Sequence, residues 1–253
     1  MNYLTIVLLL LLAQTGFCKF KKRSDSLRSK KGSIVRPVIF ATGGVALWGL
    51  TYRYLDSPIQ KFSQAHQFSI PEFTAKYTEP LGRGYYLVPA NIVMYLTGAV
   101  LQDKKLAKAG AAGLTAFVMN DFASIKLKCG FERHRPNTGS PYNTFDGPDG
   151  NDSNRSFPSS HTSNIFSTAT VVASIYKDSK WVPPVAYGFA SLVGFSRIYT
   201  NHHWASDVLA GAAIGFICGK LSVAGWNWLE KKHIAFFPSF GKNKNSLTLI
   251  HQF

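Results

Sequence analysis

The chain has 253 residues, of which 46% are hydrophobic and 16% charged; that suits one domain with a sizeable core or a small membrane bundle, and is low in charge for a soluble globular protein. Its formal charge of +15 makes nucleic acid the first partner to consider, because a cationic surface binds phosphates without regard to sequence. The cations do not form one stripe on one element and no nucleic-acid motif is visible, so that class is excluded; basic segments beside apolar ones fit a cytoplasmic membrane face.

The N-terminal stretch 1–18, "MNYLTIVLLLLLAQTGFC", is an apolar run followed by small and polar residues, and reads as a signal peptide or a short membrane anchor, although no Lys or Arg precedes the run. A basic linker follows at 19–36, "KFKKRSDSLRSKKGSIVR". Apolar segments of helical length then dominate 37–230, with candidate helices near 37–52, 84–102, 105–127, 161–176, 181–196 and 207–225, and a basic tail at 231–253. Gly and Ala scattered through these segments are what closely packed helices use. Two polar stretches interrupt them: 53–83, with Pro58, Pro71 and Pro80, and 135–158, whose Gly, Pro, Asn and Asp mark a loop. The three cysteines, Cys18, Cys129 and Cys218, form no zinc pattern; Cys129 and Cys218 could pair, but two unrelated buried thiols are the simpler expectation.

The expected fold is therefore all-α, a bundle of about six core helices. Several segments hold 15–18 uncharged residues in a row, slightly short of the roughly 20 that span a bilayer. If the six alternate across a membrane with 19–36 inside, the inner regions hold eighteen Lys and Arg and the outer regions ten, as the positive-inside rule requires. A soluble exported helical domain is the alternative.

Under that topology the unusual polar residues collect at one outer end. Lys128 and Arg135 close the third segment in "KCGFERHRP", Ser159, Ser160 and His161 open the fourth in "FPSSHT", and Arg197, His203 and Asp207 lie between the fifth and sixth in "SRIYTNHHWASD". Three cations in one place would repel one another without an anion, and Arg forks match the paired oxygens of phosphate. A helix start after Pro158 offers backbone N–H groups to an anion, and Ser159 adds a hydroxyl. His203 and Asp207 are four residues apart and share a face if the stretch is helical. Asp207 would then fix the His203 tautomer and leave the other nitrogen as a nucleophile, while His161 would protonate the leaving oxygen and then activate water. Taken singly, these residues have ordinary readings. Asp207 could cap a helix, Lys128 and Arg135 could be a solvated helix end, and His66, His134, His202, His233 and His251 read as structural or surface residues.

The joint pattern resembles the phosphatidic acid phosphatase type 2/haloperoxidase superfamily. That family's first motif, Lys, six residues, Arg-Pro, reads Lys128, "CGFERH", Arg135-Pro136; its second, Pro-Ser-Gly-His, reads Pro158-Ser159-Ser160-His161; its third, Ser-Arg, five residues, His, three residues, Asp, reads Ser196-Arg197, "IYTNH", His203, "WAS", Asp207. The resemblance covers about residues 100–225. It implies an acid phosphatase/vanadium haloperoxidase-like helical bundle in which His203 is the nucleophile forming a phosphohistidine, Asp207 orients it and His161 is the general acid. Lys128, Arg135, Arg197, Ser159 and the amide of Ser160 would bind the phosphate, with no metal and no cofactor. Ser160 stands where the family usually has Gly, which puts the local backbone geometry in question because Gly reaches positive φ at little cost.

The expected activity is a metal-independent phosphatase acting on phosphomonoesters or diphosphates. Lipid phosphates are its expected substrates, at the outer, periplasmic face of the cytoplasmic membrane, with no obligatory protein partner. The alternatives are a soluble periplasmic or secreted acid phosphatase acting on small phosphomonoesters, a vanadate-dependent haloperoxidase, and a non-enzymatic anion-binding scaffold.

Overall fold

A computed structural model describes residues 42–67, 75–148, 154–232, 234–240 and 245–251. The N-terminal unit Met1–Ala41, with the expected signal or anchor and basic linker, lies outside the described residues. The fold runs α1 (42–50), a π-helical turn Thr51–Leu55, α2 (Asp56–Ala65), a 3-10 turn Glu79–Gly82, α3 (Gly84–Val100), α4 (Lys104–Phe131), α5 (Ser160–Ile175), α6 (Val182–Tyr199) and α7 (Ala205–Lys231). All six expected helices are present, and the all-α bundle stands. Within the stretch expected as a basic tail, Ile234–Phe240 and Asn245–His251 pair as an antiparallel ribbon, with Ile234 opposite His251.

The largest departure from the sequence reading is at 53–65, expected as part of a polar connection. The first helix instead continues through it. Pro58 would clash with the carbonyl four residues back in a regular helix, and that carbonyl, of Tyr54, lies in the wider π turn, after which α2 starts afresh at Asp56.

α5 is the central helix, with α4, α6 and α7 packed against it. Contact is close because the facing residues are small. Ala112 and Ala116 of α4 meet Val171 of α5 and Val223 of α7 in a buried cluster. A Cβ at Gly211 of α7 would lie 2.6 Å from the Ser159 carbonyl oxygen, so only Gly allows this approach. Buried polar groups join helices directly: Asn120 donates to Asn164 Oδ1 (2.7 Å) and Ser163 Oγ (3.1 Å). Small residues and interhelical hydrogen bonds are the packing vocabulary of helices that gain little from hydrophobic contrast with their surroundings. Large apolar side chains such as Val93, Leu96, Val118, Phe122, Phe189 and Leu221 are exposed on the outside of the bundle. One helix among the described residues, α7, is long and apolar enough to cross a membrane. Cys129 and Cys218 are free thiols, and only Cys218 is buried.

Candidate active site

The three motif segments meet at one end of the bundle. α4 delivers Lys128 in its last turn, and its chain leaves through Glu132 in the left-handed region, φ 41°, before Arg133 and Arg135. Ser159 is the N-cap of α5, so Ser160 and His161 occupy its first turn, where backbone N–H groups have no partner inside the helix. Arg197 lies in the last turn of α6, and the turn carrying His202 and His203 is closed by both of their amides donating to the Arg197 carbonyl (3.1 Å each). The Ser159 amide donates to the Asp207 carbonyl (3.1 Å), which ties the second motif to the third. Lys128, Arg135 and Arg197 lie within electrostatic reach of one another, and the charges of Lys128 and Arg135 are felt at His203.

His203 and Asp207 meet by a different route from the expected helical face. α7 begins only at Ala205, so His203 sits in the preceding turn and Asp207 at the third helical position. Nor is Asp207 the cap residue: that place belongs to Trp204, whose amide donates to Asp207 Oδ2 (3.0 Å). The carboxylate thus folds back toward its own N-terminus. His203 Nδ1 stands 3.7 Å from Asp207 Oδ2 and 3.4 Å from Ser156 Oγ, and Ser156 Oγ donates to the same Oδ2 at 2.6 Å. Ser156 therefore bridges the pair. Burial lowers the His203 pKa to about 3, against the opposing influence of Asp207. The imidazole is neutral, and with Nδ1 turned toward Ser156 and Asp207, Nε2 is the nitrogen with a lone pair to offer.

Ser160 needs no special backbone. Among the described residues, positive φ outside Gly occurs only at Gln102, Glu132 and Asn201, so the serine in place of the usual glycine keeps an ordinary helical conformation. Ser159 Oγ accepts from Thr162 Oγ1 (3.0 Å) and retains its own proton for a ligand. Lys128 Nζ donates to the Arg155 carbonyl (2.6 Å). His202, read from sequence as structural, lies with Nδ1 3.0 Å from Thr200 Oγ1. His134, read the same way, lies with its two ring nitrogens near Ser140 and Asp146.

Four residues around this end have no assignment from sequence. Glu79, from the stretch expected as a polar connection, accepts from Arg197 Nη1 (3.0 Å) and stands 2.9 Å from His161 Nε2. Its carboxyl is held below the ordinary range; burial works in the opposite direction and is outweighed by the hydrogen bond from Arg83 and the charges of His161 and Arg197. Ser156 is the bridge described above. Arg133 and Asp56, both fully buried, form an ion pair at 2.7 Å, and Arg133 also binds Asp207 at 2.6 Å. Arg133 lies inside the six-residue spacer of the first motif, where an extra cation is visible in the sequence without a role. For Glu79 and Asp56 the sequence carries no spacing signal.

The all-α bundle thus gathers cations, a buried imidazole bridged to a carboxylate and a helix N-terminus at one end, an arrangement suited to an anion. Residues 107–231, just under half of the chain, match the PAP2 superfamily model. A 75-residue stretch is 48% identical to the lipid A 1-phosphatase of Porphyromonas gingivalis, covering 29% of this chain and 17% of that one. A 134-residue stretch is 30% identical to the undecaprenyl-diphosphatase BcrC of Bacillus subtilis, covering 51% and 62%. The chain thus spans less than two thirds of the length of either relative. The fold matches the crystal structure of a transmembrane PAP2 type phosphatidylglycerolphosphate phosphatase from Bacillus subtilis, with TM-score 0.59 and 24% identity over 78% of this chain and 98% of that one.

Proposed function

We propose that the protein is a membrane-embedded lipid phosphatase working through a phosphohistidine, with its site on the outer face. The observation that carries this reading is the His203 environment: a neutral, buried imidazole with Nδ1 against Ser156 and Asp207, within electrostatic reach of Lys128 and Arg135. Lys128, Arg135 and Arg197 hold the phosphate oxygens with Ser159 Oγ and the Ser160 amide, and spread the charge that develops on them. His203 Nε2 attacks phosphorus as the ester P–O bond breaks, and His161 gives the departing oxygen its proton. In the second half, His161 takes a proton from water, the water oxygen attacks phosphorus, and the N–P bond breaks to release inorganic phosphate.

A lipid substrate is favoured by the apolar character of the bundle. An apolar groove of about 360 Å³ is lined by Leu47, Leu55, Phe166, Ala205, Leu209 and Ala212, among others. Ala205 is two residues from His203, and Phe166 is on the helix that His161 opens. The named relatives include phosphatases of lipid A and of undecaprenyl diphosphate, and the apolar outer surface suits a bilayer. The loop-charge bias supports the outward orientation.

The test is phosphate release by purified protein from lipid and soluble phosphomonoesters, with a chelator present and with vanadate as inhibitor. Expected are chelator-resistant release, vanadate inhibition, and loss of turnover by orders of magnitude in His203→Ala. Full activity in that variant overturns the nucleophile assignment.

A further inference from the structure

The buried group beneath the catalytic pair is a closed box of three charges. The Arg133 guanidinium is completely buried. Its Nη1 donates to Asp207 Oδ1 (2.6 Å) and Ser206 Oγ (2.7 Å), its Nη2 to Asp56 Oδ2 (2.7 Å) and the Tyr142 carbonyl (2.6 Å), and its Nε to the same carbonyl (3.0 Å). Those five bonds account for every N–H that an arginine possesses. The rings of Tyr52, Phe145 and Trp204 lie within 5.1–5.5 Å of its centre. Asp56 takes the Ser206 amide on Oδ1 (2.8 Å) and the Ser206 hydroxyl on Oδ2 (2.6 Å).

This arrangement divides Asp207 between two tasks. Oδ1 is committed to Arg133, while Oδ2 alone serves the Trp204 amide, Ser156 and the imidazole. A cation so close to a carboxylate would cancel the negative charge from which a nucleophilic imidazole benefits as it turns positive on attacking phosphorus. Asp56 offsets that: burial raises its pKa and the Arg133 guanidinium works against this, and with both carboxylates ionised Asp56, Arg133 and Asp207 together carry one net negative charge beneath His203. A lone arginine would also be an unpaired buried charge if Asp207 moved, so the second carboxylate keeps it in place.

We infer that Asp56 and Arg133 are positioning residues of the phosphoryl-transfer reaction: Arg133 fixes the Asp207 carboxylate, and Asp56 restores the negative charge that the His203 imidazole needs. Asp56 stands on α2, which belongs to no motif segment, so the first helical stretch is coupled to the catalytic turn through one side chain. The inference rests on the proposed role of His203.

Asp56→Asn removes one charge at nearly constant volume, and Asp56→Glu keeps the charge. Turnover on a lipid phosphate should fall roughly ten- to hundred-fold in Asp56→Asn, the scale on which outer partners of a site act, with KM and vanadate inhibition little changed. Asp56→Glu should lie between it and the wild type. ¹⁵N spectra of histidine-labelled protein supply a readout independent of turnover: wild-type His203 should carry its proton on Nδ1, and Asp56→Asn should populate both tautomers. Unchanged kcat and tautomer in a folded Asp56→Asn protein overturn the inference. So does a parallel loss of turnover, vanadate binding and thermal stability in both variants, which would make the box a structural lock only. If wild-type protein releases no phosphate, the proposed function fails, and the tautomer comparison still decides the positioning role.

Discussion

The Glu79 carboxylate stands 2.9 Å from Nε2 of His161, and the same oxygen accepts from Arg197. The site therefore contains two imidazole–carboxylate pairs with different surroundings: His203 with Asp207 at the buried base, and His161 with Glu79 nearer the surface. In the proposed mechanism His161 must hold a proton when substrate arrives; burial, with the charge of Arg197, lowers its pKa to about 4, and the Glu79 anion opposes that by favouring the protonated form. Glu79→Gln keeps the shape and removes that anion. The expected outcome is a fall in kcat of roughly ten-fold or more, within the range of acid–base contributions, and a shift of the alkaline limb of the kcat profile to lower pH. The direction follows from the charge: without the anion, imidazolium loses its proton at lower pH. A pH–rate series on both proteins checks it; an unmoved alkaline limb would separate Glu79 from the acid's proton affinity.

The depressed pKa of His203, about 3, makes a second expectation. An ordinary imidazole, with pKa near 6.5, is mostly protonated at pH 5, whereas His203 should still be neutral there. Histidine ¹⁵N shifts in the ligand-free protein measure this directly. The linked effect on stability has a definite sign. The unfolded chain takes up this proton first as pH falls, so His203 destabilises the fold progressively from about pH 6.5 down to about pH 3 and contributes nothing above that window. Thermal midpoints of wild type and His203→Asn should therefore diverge between pH 7 and pH 5, with the wild type losing more.

The six charged and imidazole residues that gather here are legible in the sequence because each lies at a fixed spacing on a helix end, where sequence distance and spatial distance are tightly related. Lys128, Arg135, His161, Arg197, His203 and Asp207 need only a bundle with alternating helices to meet. Glu79 and Asp56 approach from a stretch whose prolines and polar residues read as a connection; their partners at this end of the bundle, His161 and Arg197 for Glu79 and Arg133 for Asp56, are distant in sequence and near only in space. The His203–Asp207 contact follows from the spacing but its geometry does not: four residues suggest a helical face, whereas the helix starts between the two residues and Ser156 completes the bridge.

Ser160 offers a test of how much the helix start depends on backbone freedom. Its conformation is ordinary, so Ser160→Gly should gain nothing in geometry and lose a little in stability, about 0.5–1 kcal/mol for a glycine placed in a helix. Turnover should change by no more than a few-fold. Measured kcat and thermal midpoint of this variant check both statements, and a large gain in kcat would mean that the serine strains the phosphate-binding turn.

Gly211 makes the opposite case, because its substitution reaches the site from behind. A Cβ there would sit 2.6 Å from the Ser159 carbonyl oxygen and 3.3 Å from Thr162 Cβ. Both belong to the beginning of α5, and backbone cannot yield as a flexible side chain does. Gly211→Ala should destabilise the bundle by about 1–3 kcal/mol, as overpacking typically does, and should also displace the Ser159 hydroxyl and Ser160 amide. KM for phosphate esters, or the inhibition constant for vanadate, should rise. A drop in thermal midpoint with unchanged vanadate inhibition would confine the effect to packing.

The apolar groove separates a lipid phosphatase from one that acts on any small ester. Ala212, half-buried on α7, is one of its lining residues, and a phenylalanine there would fill part of the volume without touching the residues assigned to the phosphate. If the hydrocarbon of the substrate lies in the groove, Ala212→Phe should lower kcat/KM for a long-chain lipid phosphate while leaving a short, water-soluble phosphomonoester almost unaffected. Each methylene pushed back into water costs about 0.8 kcal/mol, so two or three displaced methylenes correspond to roughly a ten- to fifty-fold effect. Activity measured over a series of chain lengths in mixed micelles gives the answer as a slope. An identical slope in wild type and variant would place the tail elsewhere, and a wild type indifferent to chain length would favour the soluble-ester reading.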